Sequence, residues 1–173
     1  MTNHLDAWIQ TYPDFPKPGI LFYDIAPIIE HPIRLKTTCQ LLVDAITPWA
    51  PDVLVGIDSR GFLFATPVAL QMELGVVMVR KKGKLPGAVR EASYALEYGE
   101  ATLAVQTDRQ LAGKRVVLID DLLATGGTLA ATESLLHEVG ADVVGTVVLI
   151  ELTGLKGRDV LNAPVKSLQR YDF

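Results

Sequence analysis

Cysteine is almost missing from the 173 residues, and Cys39 stands alone. No internal disulfide can form, and no Cys/His group has metal-ligand spacing. A reducing compartment is the expectation, with Cys39 an ordinary apolar side chain on a helix. A basic excess is missing as well. Net charge is -4, with 16 Lys and Arg against 20 Asp and Glu, so non-specific nucleic-acid binding is not expected. Apolar runs are short, and none approaches the roughly 18 residues that a membrane span requires. The opening MTNHLDAWIQTYPDF lacks a basic start followed by an apolar run. No signal peptide and no membrane partner are therefore expected, and a cytoplasmic protein is. Internal repeats, low-complexity tracts and interdomain linkers are absent too. What is present, 49% hydrophobic and 21% charged residues, is a globular composition. The length suits a single domain over residues 1–173.

Apolar runs at Val53–Ile57, Val76–Val79, Val116–Ile119 and Val143–Ile150 read as strands. They are continuous rather than alternating, which predicts a mostly parallel sheet covered on both faces. Helices are predicted between them. Leu35, Cys39, Leu42, Val43 and Ile46 form one apolar stripe. Phe62–Leu74 is the second, and Thr128–Val139, stopped at Gly140, is the third. The expected fold class is α/β. Residues 11–32 hold Pro13, Pro16, Pro18, Pro27 and Pro32 and read as an irregular segment. Residues 80–106 read as a long excursion from the sheet: a basic half, then a hairpin with arms Ser93–Glu97 and Ala101–Gln106.

One stretch, LIDDLLATGGT at 118–128, carries the chemistry. Asp120 and Asp121 are placed at the C-terminal end of a buried strand, where open α/β sheets bind ligands. Residues 124–128 then turn into a helix. Gly126 and Gly127 allow a close backbone approach, and the helix N-terminus favours an anion. Thr125 and Thr128 add hydroxyl donors. No Lys follows the glycines, so this is not a Walker A loop. Carboxylates accept from the two hydroxyls of a ribose, and they suit magnesium directly or through its waters. A ribose 5-phosphate reconciles the acids with the phosphate cradle. Two other readings stand beside it. An acid pair after a strand also occurs in phospho-acceptor receiver domains, and TGGT alone is compatible with a tight helix start.

The same stretch resembles the phosphoribosyl-pyrophosphate signature of the type I phosphoribosyltransferases. Further blocks resemble the adenine-specific members of that family. Asp14-Phe15-Pro16, Pro18-Gly19-Ile20, Leu21-Phe22 and Asp24-Ile25 look like the N-terminal base-binding segment, over about residues 1–32. Gly56 to Phe62 (GIDSRGF) looks like the pyrophosphate loop. Arg80 to Gly87 and Ser93 to Gly99 look like the mobile loop. Glu151-Leu152 with Leu155-Lys156-Gly157-Arg158 matches the C-terminal part. The blocks run in family order from about Pro13 to Arg158.

The resemblance implies purine salvage. Adenine and phosphoribosyl pyrophosphate would give AMP and pyrophosphate with magnesium, in a homodimer. Asp120 and Asp121 would bind the ribose, and Ala124, Thr125, Gly126, Gly127 and Thr128 the 5-phosphate. Ser59, Arg60, Arg80 and Lys84 would neutralise pyrophosphate, with Lys81 and Lys82 less committed. A basic loop such as RKKGK is otherwise an ordinary solvated run. Glu97, beside Tyr98 in the mobile loop, would manage the base proton. On composition alone it would be an exposed hairpin glutamate. Leu21 and Phe22 would hold adenine. Tyr23 stands where relatives carry Arg; a phenol packs but lacks the charge and the fork. Phe15 reads as ordinary core of its segment.

Rival readings are ranked below this one. A hypoxanthine-guanine enzyme would carry its base segment toward the C-terminus. A sensor of the sugar donor would carry a basic face or an added nucleic-acid domain. A receiver leaves Asp58-Ser59-Arg60-Gly61 and residues 80–106 unexplained.

Overall fold

The computed structural model describes residues 5–95 and 100–172. The chain divides into two compact units, Met1–Leu41 and Leu42–Phe173.

In the first unit, β1 (Gln10–Pro13) and β2 (Leu21–Asp24) pair antiparallel, with Gln10 opposite Asp24 and Pro13 opposite Leu21. The short helix α1 (Ala26–Ile29) follows. The proline-rich stretch is thus a hairpin and a helical turn rather than irregular. Its connection is closed by polar contacts that apolar patterning does not reveal. The Gly19 N–H donates to the Asp14 carboxylate at 2.7 Å, and the Phe15 N–H donates to the Ile20 carbonyl at 3.2 Å. Asp14 takes a positive φ of 58°, a conformation that Asp tolerates better than most side chains. Helix α2 (Pro32–Ile46) spans the boundary between the units and buries Cys39, Leu42 and Ile46 of the expected stripe.

The second unit is built on a seven-stranded sheet. Its members are β3 (Val53–Ile57), β4 (Gly75–Lys81), β5 (Val89–Ala95), β6 (Glu100–Gln106), β7 (Arg115–Leu123), β8 (Asp142–Leu152) and β9 (Val165–Tyr171). Their order is β5-β6-β4-β3-β7-β8-β9. From β4 to β9 every pairing is parallel. In β3 the four consecutive residues Leu54 to Ile57 are all buried, so both faces are covered. Helix α3 (Gly61–Met72) follows β3, and α4 (Gly127–Glu138) follows β7. Leu129, Leu135 and Leu136 of α4 join Val55, Leu118 and Val148 of the sheet in one core. Each such Leu contributes about 2 kcal/mol by leaving water.

The elements differ from the sequence expectation in instructive ways. Within residues 80–106 the expected antiparallel pair of arms is present, but it belongs to the sheet rather than leaving it. Strand β6 pairs antiparallel with β4, Arg80 opposite Ala104, and β5 pairs with β6. Leu103 and Val105 are buried, and this burial attaches the hairpin to the sheet edge. Helix α3 stops at Met72, before the expected Leu74, because Glu73 turns left-handed at φ 57°. Strand β7 runs through the acid pair to Leu123 instead of ending before it. Strand β9 went unpredicted because every described position is only half-buried or exposed, so no apolar run marks it.

Candidate active site

Three chain segments meet at the carboxyl ends of β3 and β7. After β3 comes Asp58-Ser59-Arg60, with a cis peptide between Asp58 and Ser59. Gly61 then opens α3 against the neighbouring strand. A Cβ there would stand 2.7 Å from the Ile119 carbonyl and 3.1 Å from Asp120 Oδ1, so only glycine lets Arg60 reach the acids from this side. Strand β7 delivers Asp120 and Asp121, and residues 124–128 curl into α4. Gly126 sits at φ 83° directly before that helix, with no side chain capping it, so the helical N–H groups stay open for an anion.

These segments enclose a cavity of about 430 Å³. Ser59, Arg60, Asp120, Asp121 and Ala124 through Thr128 all line it. The structure therefore brings together the expected ribose, 5-phosphate and part of the pyrophosphate residues. Arg60 Nε lies 3.0 Å from Asp121 Oδ2. The Asp121 N–H donates to Asp120 Oδ1 at 2.9 Å. Burial pushes the Asp120 carboxyl well above its ordinary value, and the neighbouring Asp121 charge adds to that. Burial also raises Asp121, while the Arg60 guanidinium opposes the rise.

The basic residues sort differently from expectation. Arg80 is outside the lining. Its Nε donates to Asp58 Oδ2 at 3.1 Å and its Nη1 to the Lys84 carbonyl at 3.2 Å. Lys84 is exposed and also outside the lining, whereas Lys81 lines the cavity. Strand alternation explains this. Arg80 and Lys81 are successive residues of β4 and point to opposite sides. Two participants were missed as site residues. Tyr94 lines the cavity, and the Thr128 hydroxyl donates to its phenol oxygen at 3.0 Å. Asp58 anchors Arg80. Both stand inside motifs already noted, but only tertiary contact reveals their partners. Glu97 and Tyr98 lie outside the described residues.

Within the first unit, Phe22 and Phe15 meet edge to face, ring centroids 5.1 Å apart. Phe15, expected as core, is 53% exposed. Leu21 is exposed too, and burial raises the Tyr23 phenol. Among the described residues, no three His, Cys, Asp or Glu side chains form a cage for a metal. Two carboxylates beside a glycine loop do suit magnesium, which retains waters and takes substrate phosphates as further ligands.

The phosphoribosyl transferase domain model matches residues 31–172. Adenine phosphoribosyltransferase of Rhodospirillum rubrum is 55% identical over 169 residues, 98% of this chain and 99% of that one. The chain belongs to the adenine phosphoribosyltransferase family. Solved members of the family share its fold. The enzyme of Thermoanaerobacter pseudethanolicus superposes with a TM-score of 0.94 at 39% identity, covering 97% of this chain and 98% of that one. That of Saccharomyces cerevisiae, solved with an imino-altritol bisphosphate and adenine, gives 0.91 at 40% identity, covering 95% and 96%. The type I phosphoribosyltransferase fold expected from the sequence is the fold of this adenine phosphoribosyltransferase family member.

Proposed function

We propose that this chain transfers the 5-phosphoribosyl group of phosphoribosyl pyrophosphate to adenine, releasing AMP and pyrophosphate. Family membership supports the reaction. The single structural observation that carries the site assignment is the acid pair and the glycine loop facing one cavity. Asp120 and Asp121 accept from the ribose hydroxyls. Thr125, Thr128 and the N–H groups from Ala124 to Thr128 hold the 5-phosphate. Bond breaking at the anomeric carbon leaves a cationic sugar ring and an anionic pyrophosphate. Ser59 and Arg60 receive that anion, joined by Lys81; Arg80 and Lys84 add positive charge outside the cavity lining. Adenine N9 forms the new bond to the anomeric carbon as the old carbon–oxygen bond breaks. Glu97 takes the N9 proton. For the first unit we propose base recognition through Leu21, Phe22 and Tyr23. Magnesium, when bound, neutralises pyrophosphate charge, and Asp120 and Asp121 would face its waters.

The setting we propose is cytoplasmic, because the phosphorylated substrates carry charges that do not cross a bilayer unaided. A homodimer is part of the reading, supported by an apolar exterior. Leu63 and Leu70 lie seven residues apart on one face of α3 and are exposed, as is Met78 on β4.

A pyrophosphate-release assay tests the reaction. Purified protein, sugar donor and magnesium are mixed with adenine, hypoxanthine, guanine, xanthine or no base. Release with adenine alone is expected. Release with another base instead would keep the sugar chemistry and overturn the reading of Leu21 to Tyr23. Binding of the donor with no release for any base would favour a sensor.

A further inference from the structure

Beneath the glycine loop lies a second glycine turn, a short helical turn at Gly157–Val160. None of its residues lines the cavity. A Cβ on Gly157 would overlap the Ala124 carbonyl oxygen and stand 2.8 Å from Gly126 N. A Cβ on Gly126 would in turn overlap the Gly157 carbonyl and stand 2.7 Å from Val160 Cγ2. The two backbones are in direct contact. The glycine loop has no side-chain cap of its own, so what it rests on decides where its N–H groups point.

That support is itself held by two buried carboxylates. Glu151, near the end of β8 and 3% exposed, accepts from Arg158 Nε at 2.9 Å and Nη2 at 2.5 Å. Ser167 Oγ also donates to it at 2.6 Å. Arg158 Nη1 reaches on to the Val165 carbonyl at 2.6 Å. On the other side Glu133 of α4 accepts the N–H groups of Asn162 at 2.9 Å and Ala163 at 3.2 Å. The Arg158 hydrogen bonds hold the Glu151 carboxyl below its ordinary value, so it stays an ionised acceptor. Arg158 of the turn joins this network by its side chain, and it directly follows Gly157.

We propose that Arg158 is a positioning residue for the 5-phosphate loop: forked onto Glu151, it presses the Gly157 backbone against Ala124 and Gly126 and fixes the aim of the loop's N–H groups. The inference rests on the reading of Ala124 to Thr128 as the 5-phosphate site. It also distinguishes the two ends of the sugar donor. The 5-phosphate depends on the supported loop, while pyrophosphate meets Ser59 and Arg60, which follow β3 rather than β7.

The test is calorimetric titration of the full chain with ribose 5-phosphate and, separately, with pyrophosphate and magnesium. Arg158→Gln is expected to weaken ribose 5-phosphate about tenfold and leave pyrophosphate within about twofold, since sub-ångström misaim of a binding group is enough for such a loss. In turnover, KM for the sugar donor rises while kcat and KM for adenine hold. Arg158→Lys keeps the charge without the fork and should fall between wild type and Gln. It carries the test if the Gln variant does not fold. Equal weakening of both ligands would indicate general loosening and overturn the proposal, as would unchanged ribose 5-phosphate affinity. Wild-type protein that binds ribose 5-phosphate but turns over no base overturns the enzyme reading and leaves the positioning role intact. Wild-type protein that binds no ribose 5-phosphate overturns both.

Discussion

Arg60 Nε stands 3.0 Å from Asp121 Oδ2, the arginine side chain 40% exposed and the acid 8%. The contact keeps a cation over a buried carboxylate that has another acid as its chain neighbour. Arg60→Ala should therefore destabilise the protein by about 1 kcal/mol, discounted because Arg60 reaches solvent. Adding Asp121→Asn should recover part of that loss. Urea denaturation of the two single variants and the double variant at pH 7 measures the coupling; strictly additive losses would show that the pair is not coupled.

Asp120 carries the opposite signature, a burden on the fold. Its folded pKa is raised by burial, so the folded state holds the proton more tightly than the unfolded chain. Stability from that group is present below the unfolded carboxyl range, about pH 4, and is lost as pH rises through the raised value. Asp120→Asn should then stabilise the protein at pH 7 by on the order of 1 kcal/mol, the usual gain when a functional burden is removed. The advantage should shrink toward pH 4. The same variant combined with Asp121→Asn should lower turnover by orders of magnitude. Thermal melts across pH check the first statement, and near-normal kinetics in the double variant would refute the ribose role.

Glu97→Gln keeps shape and removes the proposed proton acceptor. The expected outcome is a large fall in kcat with sugar-donor binding retained. Rapid-quench turnover alongside donor titration separates the two. A folded Gln variant with wild-type turnover would remove Glu97 from the chemistry.

Leu70 is 80% exposed on α3. Placing charge there with Leu70→Glu and Leu63→Glu should convert a dimer to monomers without unfolding the protein. Analytical ultracentrifugation reads this directly, and an unchanged dimer mass would move the interface elsewhere.

Much of the fold was legible because the central strands are apolar without interruption. Val53–Ile57 was read to the residue. Half-buried β9 offered no such run, and β1 with β2 hid behind prolines whose turn depends on an Asp14 side-chain contact. The site was legible where chemistry is local. LIDDLLATGGT places its acids and its glycine loop within one strand-to-helix turn, and both line one cavity. It was not legible where partners come from afar. Tyr94 meets Thr128 from 34 residues away, and Asp58 takes Arg80 from 22. The choice between Arg80 and Lys81 follows from which side of β4 each residue faces. A run of basic letters does not encode that.

The hairpin that joins the sheet also settles which strands are left at its borders. Apolar β4 is capped by β6, and the outermost strands are β5 and β9. Each is studded with charge: Arg90 and Glu91 on one, Lys166 and Arg170 on the other. Glu91 is further tied to Lys82 at 2.8 Å. An unpaired border of Val and Ile would invite a neighbour's backbone to add on and grow a fibre. Here the borders carry charged side chains instead, several of them tied to partners within the fold, Lys166 to the Ala45 carbonyl and Arg170 to Glu151, and the apolar strands lie between them.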